Sequence, residues 1–161
     1  MKKLILILFI LLSVYIPVKI YSLDKNYFLC PVEYHGNLLV RCDSRGNGFF
    51  ASPRKGRRLH NGVDLLAEVG APVFSPRSGR VIKAAQNKGM GKYIIIRHSD
   101  NMVTIYGHLS QIYVSRNKFV RQGELIARVG KTGNAKAPSI QPHLHFEIRK
   151  SGIPQDPLEY L

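Results

Sequence analysis

The 161-residue chain has no tryptophan, two cysteines and only 10 acidic residues. Two cysteines are too few for a disulfide-built scaffold, so the fold must rest on an apolar core. The 10 acids face 24 Lys plus Arg, a net charge of +14, which argues for an anionic partner such as nucleic acid, a membrane surface or an acidic polymer. No stretch carries a 3.6-residue apolar period over three turns, which argues against a helical protein. Other chemistries lack their residues. No serine sits in a nucleophile-elbow context, and both cysteines lie near the N-terminus, so serine or cysteine nucleophile chemistry has no support. The GKTG at Gly130–Gly133 is not a phosphate-binding loop, because the glycine needed at position 125 is Leu125. Lys92 lies at a strand start, whereas a biotinyl- or lipoyl-carrier domain needs its lysine at a hairpin tip.

What is present is ordinary globular composition: 45% hydrophobic and 21% charged residues. The 14 Gly and nine Pro show no collagen-like period and indicate many turns, hence a β-rich chain. Lys2 and Lys3 precede an apolar run from Leu4 to Val18, the pattern of a secretory signal peptide. As a helix that run rises about 22 Å, short of a hydrocarbon core of roughly 30 Å, so a retained membrane anchor is the weaker reading. Export would put the protein in the periplasm, the cell wall or the medium. There, nucleic acid is not a partner, and the Arg54–Arg58 run RKGRR meets wall polymers or lipid headgroups, or is simply a solvated loop. A membrane partner is expected only if the N-terminal segment is retained. Export also favours a bridge between Cys30 and Cys42, worth about 3 kcal/mol for so short a loop.

The expected organisation is a signal or anchor over 1–22, a leader arm over 23–44, one domain over 45–150 and a tail over 151–161. The domain reads as all-β, mainly an antiparallel folded-over sheet or sandwich. Strands are expected at Pro72–Ser75, Arg80–Ala84, Tyr93–His98, Met102–His108, Glu124–Val129 and His143–Arg149. A weak internal echo links APVFSPRSGRVI with KFVRQGELIARVG and fits two small β units folded over each other.

Three segments share one use of histidine. In HNGVD, His60 and Asp64 oppose Val63 and Leu65. In TIYGHL, Thr104, Tyr106 and His108 share a parity against Ile105 and Leu109. In HLHFEIR, His143, His145 and Glu147 oppose Leu144, Phe146 and Ile148. By this alternation Tyr106 would line the site beside His108. Two imidazoles and a carboxylate with an open fourth position suit a catalytic zinc. On spacing alone, an ordinary wet sheet face explains the pattern equally well.

HNGVD, YGHL and HLHFE, in this order, resemble the signature of the lysostaphin-like (LytM-type) zinc endopeptidases. The surrounding GAPVFSPRSGRVI, GMGKYIIIRH and FVRQGELIARVGKTG match too, so the resemblance runs from about Leu59 to Arg149. It implies a mainly antiparallel β fold with the metal site in a surface groove. It implies Zn2+ held by His60, Asp64 and His145, with His108 and His143 as the catalytic histidines. The implied reaction is metal-assisted hydrolysis of peptide bonds in bacterial peptidoglycan, with stem or crossbridge peptides rich in Gly and D-Ala as substrate. Anionic wall polymers are a further expected partner.

Two departures qualify the match. The stretch NAKAPSIQP before His143 is longer than the family's usual loop and is expected to reshape one groove wall. The segment Cys42–Asp64 and the closing DPLEYL resemble the animal chemotaxin branch of the same fold, which keeps zinc but not activity. A non-catalytic zinc-containing binding or signalling module is therefore the alternative, and the presence of both His108 and His143 favours the enzyme. Of the other groups, His98 and His35 are expected to be non-ligands, and Glu147 either steadies an imidazole or is structural. The leader arm is read as a tether, the alternative being a latency segment in which His35 or Asn37 reaches the metal.

Overall fold

The structure is a computed structural model that describes residues 27–161 together with Ile5 and Asp24. Apart from Ile5, the expected signal or anchor segment lies outside the described residues. No helix among the described residues is long and apolar enough to cross a membrane.

The fold is nearly all β and antiparallel. A small hairpin pairs β1 (Cys42–Asp43) with β2 (Gly46–Asn47). The remaining strands are β3 (Val63–Leu66), β4 (Pro72–Phe74), β5 (Gly79–Asn87), β6 (Gly91–Arg97), β7 (Met102–Ile112), β8 (Phe119–Val120), β9 (Leu125–Val129), β10 (His143–Lys150) and β11 (Ile153–Gln155). They form one sheet with the path β11-β10-β7-β6-β5-β8, to which β3 adds on β10, and β9 adds on both β7 and β4. The two echoing sequence segments pair with each other: Val73 opposes Ala127, and Gly79 opposes Val120.

The long strand β7 folds the sheet. Its first half, Met102 to Gly107, lies between β6 and β10. Its second half, from Leu109, leaves β10 and pairs with β9. The core fills the fold with Val63, Leu65, Ile94, Ile96, Tyr106, Leu109, Ile126, Leu144, Phe146 and Ile148. Burial of such side chains is worth about 1.5–3 kcal/mol each and is the main stabilising term.

β10 is buried on both faces. Leu144, Phe146 and Ile148 point into the core, and the alternate residues His143, His145 and Glu147 are buried on the opposite face. Buried polar groups are tolerated only when bonded, and each of these three has partners.

The chain before the hairpin runs along the sheet edges. Val32 bridges Val73 and Val40 bridges Leu65. Leu66 donates its amide to Leu39, Arg41 to Asp64, and Asp64 to Gly48. The open edge of β3 is thereby paired rather than left as an exposed template. Phe28 and Val32 are part of the core, and Phe28 stacks edge-on against Tyr160 at 5.5 Å. Tyr160 and its neighbours Leu158 and Leu161 pack on the core, so the tail folds back.

The expected bridge between Cys30 and Cys42 is not formed, and both are free thiols. The backbone directs them differently. Cys30 is packed against the core just before the Val32–Val73 bridge, whereas Cys42 is exposed on the small hairpin opposite Asn47.

Candidate metal centre and groove

The site is built on the polar face of β10. Asp64 on β3 lies directly opposite His145, and Gly107 on β7 lies opposite His145 on the other edge. The approach is close there: a Cβ at position 107 would stand 3.3 Å from the Cβ of His145 and 2.9 Å from the Met90 methyl. His60 enters from the loop before β3, held by backbone bonds between His60 and both Ser52 and Ala51.

His108 does not arrive by simple alternation. Tyr106 opposes Phe146 and faces the core with it, so strict alternation would send His108 to the core as well. Its φ of +62° turns the chain instead, where β7 changes partners and the register shifts. This left-handed conformation is costly for a non-glycine residue, and such strain gathers at functional sites. The same geometry corrects the expected groove role of Tyr106. That ring is fully buried against Phe146, with its hydroxyl 2.8 Å from Thr104 Oγ1.

Three donor atoms converge. His145 Nδ1 lies 2.9 Å from Asp64 Oδ1 and 3.0 Å from His60 Nε2, and His60 Nε2 is 3.1 Å from the same carboxylate oxygen. His60 donates its Nδ1–H to the Phe49 carbonyl at 2.9 Å, so its Nε2 carries a lone pair. His145 donates its Nε2–H to Glu147 Oε1 at 3.1 Å, and Glu147 is pinned by Arg149 at 2.6 Å. The far nitrogen of each imidazole is thus fixed, as in metal-binding histidines.

Burial alone would lower the pKa of His145, but the carboxylates of Asp64 and Glu147 outweigh it and push the imidazole up to about 9. Burial likewise opposes ionisation of Asp64, yet the hydrogen bond from His145 holds its carboxyl far below the usual range. A proton on His145 Nδ1 therefore sits between two electron-rich atoms, Asp64 Oδ1 and His60 Nε2. Two imidazole nitrogens and one carboxylate oxygen form a donor set that fits a tetrahedral zinc ion with one position left for a ligand.

His108 and His143 stand beside this cluster, with their ring centroids 5.0 Å apart. Each gives its Nδ1–H to a backbone carbonyl: His108 to Thr132 at 2.9 Å and His143 to Gln141 at 2.7 Å. Nε2 is therefore the basic nitrogen on both rings. Burial, with help from the neighbouring His145 and His143, pushes His108 down to about 3. Burial also lowers His143, whose Nε2 is 3.9 Å from Asp64 Oδ1. Both are neutral at neutral pH.

All five sequence-predicted residues line one open groove of about 900 Å³. Ile140, from the long loop before β10, lines it too. His98 lies elsewhere, bonded to the Ser78 carbonyl at 3.0 Å and Thr104 Oγ1 at 2.7 Å. His35 and Asn37 are exposed and do not line the groove.

Sequence reasoning missed two groups. Arg41, from the leader, places Nε and Nη2 at 3.2 and 3.1 Å from Asp64 Oδ2, and Nη1 at 2.7 Å from Asp43. Arg54 approaches the same Asp64 oxygen at 3.4 Å. No local pattern marks either residue, because Asp64 lies 23 and 10 positions away along the chain.

An antiparallel β fold with a two-histidine, one-carboxylate centre and two further histidines in a groove describes a class of metal-dependent hydrolases. The profile of peptidase family M23 matches residues 58–157, and the chain belongs to that family. It is 32% identical over 137 residues to the peptidoglycan DD-endopeptidase ShyC of Vibrio cholerae, a match covering 84% of this chain and 30% of that protein. Among solved structures it resembles a zinc-containing peptidase from Vibrio cholerae (TM-score 0.66, 31% identity, 82% of this chain and 39% of that one). It also resembles the catalytic domain of lysostaphin from Staphylococcus simulans (TM-score 0.61, 30% identity, 73% and 90%). The chain spans about a third of the length of the first curated relatives it matches.

Proposed function

We propose that the protein is a zinc endopeptidase that hydrolyses peptide bonds in bacterial peptidoglycan, working outside the cytoplasm at the cell envelope. The observation that carries this reading is the convergence of His60, Asp64 and His145 beside two further imidazoles in one groove. His60, Asp64 and His145 would hold the metal through Nε2, Oδ1 and Nδ1. Bound zinc would supply Lewis acidity, polarising the scissile carbonyl and making a water easier to deprotonate.

The chain's own residues do the rest. His108 and His143, neutral and with Nδ1 committed to backbone carbonyls, present Nε2 as proton acceptors. One takes the proton of the attacking water and delivers it to the leaving amine; the imidazolium so formed steadies the oxyanion. The backbone carbonyls of Thr132 and Gln141 hold both rings in the required tautomer. Glu147 and Arg149 keep His145 oriented. ShyC is named as a peptidoglycan DD-endopeptidase, which supports stem or crossbridge peptides as the substrate.

The test is the purified protein on defined muropeptides, with products identified by mass and a chelated control. Chelator-sensitive cleavage is expected, with His108→Ala and His143→Ala each keeping zinc and losing turnover by about 10² or more. Zinc retention with no cleavage of any muropeptide would instead make the protein a binding module.

A further inference from the structure

The stretch GKTG, Gly130–Gly133, is no phosphate-binding loop, yet it packs where the sheet is irregular. The β6–β7 register shifts after Lys92, and the β7–β9 register shifts after Leu109. Leu109 directly follows His108 with its left-handed backbone. Lys92 and Leu109 are register partners, and the Thr132 hydroxyl stands between their backbone groups. It accepts the Lys92 amide at 3.0 Å and donates to the Leu109 carbonyl at 2.9 Å. One side chain thus pairs two backbone groups at the break in the ladder, where an unpaired group is costly.

The same stretch is seated on the Gly89–Gly91 turn. A Cβ at Gly91 would collide with the Thr132 hydroxyl, and a Cβ at Gly133 would collide with the Gly91 amide. Asn134 donates its amide to the Gly89 carbonyl at 2.8 Å. His108 is held from both parts of this assembly. Its amide donates to the Met90 carbonyl at 2.7 Å, and its Nδ1–H goes to the Thr132 carbonyl at 2.9 Å. The turn therefore grips the backbone of His108, and Thr132 grips its ring. The Thr132 hydroxyl joins these two supports to each other and to the residue after His108. Threonine supplies one donor and one acceptor there on a stiff β-branched side chain, and valine has the same shape with neither.

We propose that Thr132 is a positioning residue for His108: its hydroxyl fixes the carbonyl that keeps Nδ1 protonated and leaves Nε2 free to take a proton. This rests on His108 being a proton acceptor of the peptidase. Without the hydroxyl, the Lys92 amide and the Leu109 carbonyl lose their common partner and the Thr132 carbonyl shifts from the ring. The neutral imidazole then populates its other tautomer, in which Nε2 already carries a proton and cannot act as a base.

The experiment uses the zinc-loaded full chain, with Thr132→Val to remove the hydroxyl at constant shape and Thr132→Ser to restore it. Zinc content and circular dichroism check each variant, and Thr132→Ala replaces Thr132→Val if that variant does not fold. Two-bond proton–nitrogen correlation spectra of protein with 15N-labelled histidine read the protonation of each ring nitrogen. The His108 signals are assigned by their loss in His108→Ala. The parent and Thr132→Ser should show a single His108 tautomer with bare Nε2, and Thr132→Val should show a mixture. On a muropeptide that the parent cleaves, Thr132→Val should lower kcat by about tenfold or more with KM within about twofold of the parent, and Thr132→Ser should restore most of it. An unchanged tautomer in Thr132→Val, no recovery in Thr132→Ser, or a changed tautomer with parental kcat overturns the assignment. If the parent cleaves no muropeptide, the peptidase reading fails, and the spectra alone decide whether Thr132 sets the tautomer of His108.

Discussion

Arg41 is a residue of the leader, yet it is only about 5% exposed and its guanidinium reaches two carboxylates. Arg41→Met keeps most of the side-chain volume and removes the charge. Asp64 Oδ2 then loses two of its three guanidinium bonds and keeps only Arg54 at 3.4 Å, while Asp43 loses a 2.7 Å partner. Breaking one side of a buried ion pair costs about 3–5 kcal/mol. Asp64 retains His60 and His145 on its other oxygen, which places the expected loss near the lower end, about 3 kcal/mol. With a urea slope of about 2 kcal/mol/M, the unfolding midpoint should fall by about 1.5 M. The assay is urea unfolding of the metal-free protein by far-UV circular dichroism, because the chain has no tryptophan to report by fluorescence. Arg41→Lys should recover only part of the loss, since one ammonium cannot reproduce a fork that spans Asp43 and Asp64. A shift under about 0.3 M for Arg41→Met, or complete recovery by Lys, would refute the assignment of Arg41 as the residue that positions Asp64.

Deleting residues up to Asp43 should destabilise the protein and lower activity, because it removes Arg41 together with Phe28 and Val32 from the core; a folded truncation with higher activity would restore the latency reading. The parent should carry about one zinc ion per chain and Asp64→Ala should lose most of it, measured by metal analysis after gel filtration; a zinc-free parent or full retention in the variant would remove the proposed site. Acid should destabilise the fold. His98, His108 and His143 are pushed down by burial, so the unfolded chain binds more protons once the pH falls below the ordinary histidine value of about 6.5. The low-lying carboxyls of Asp64 and Glu147 add further loss at lower pH. His145 is raised, so its contribution is fully present below about 6.5 and declines only as the pH climbs toward 9. Urea midpoints of the metal-free protein should therefore drop steadily from pH 6.5 to pH 4, and a flat or rising profile would contradict the buried neutral imidazoles.

The primary structure alone determined a good deal. Alternation in HLHFEIR set Leu144, Phe146 and Ile148 against His143, His145 and Glu147, because side-chain direction in a strand is a local property. The longer strands were legible for the same reason, and β5 and β7 are extended versions of the expected segments. The strands β1, β2 and β8 have two residues each, too few to show any period. Other features were settled only by tertiary structure. His108 reaches the groove through a left-handed turn of the backbone, which no alternation rule contains, and Tyr106 goes to the core as a consequence. Arg41 finds Asp64 because the edge of β3 is paired with the leader, and Arg54 reaches it from the separate hairpin closed by Pro53 and Leu59, arrangements that depend on which segments cover that edge. Cys30 and Cys42 remain apart because one is drawn to the core and the other is carried out on a hairpin. Patterns of two or four residues report which way a side chain points. What it meets there depends on neighbours brought from distant parts of the chain.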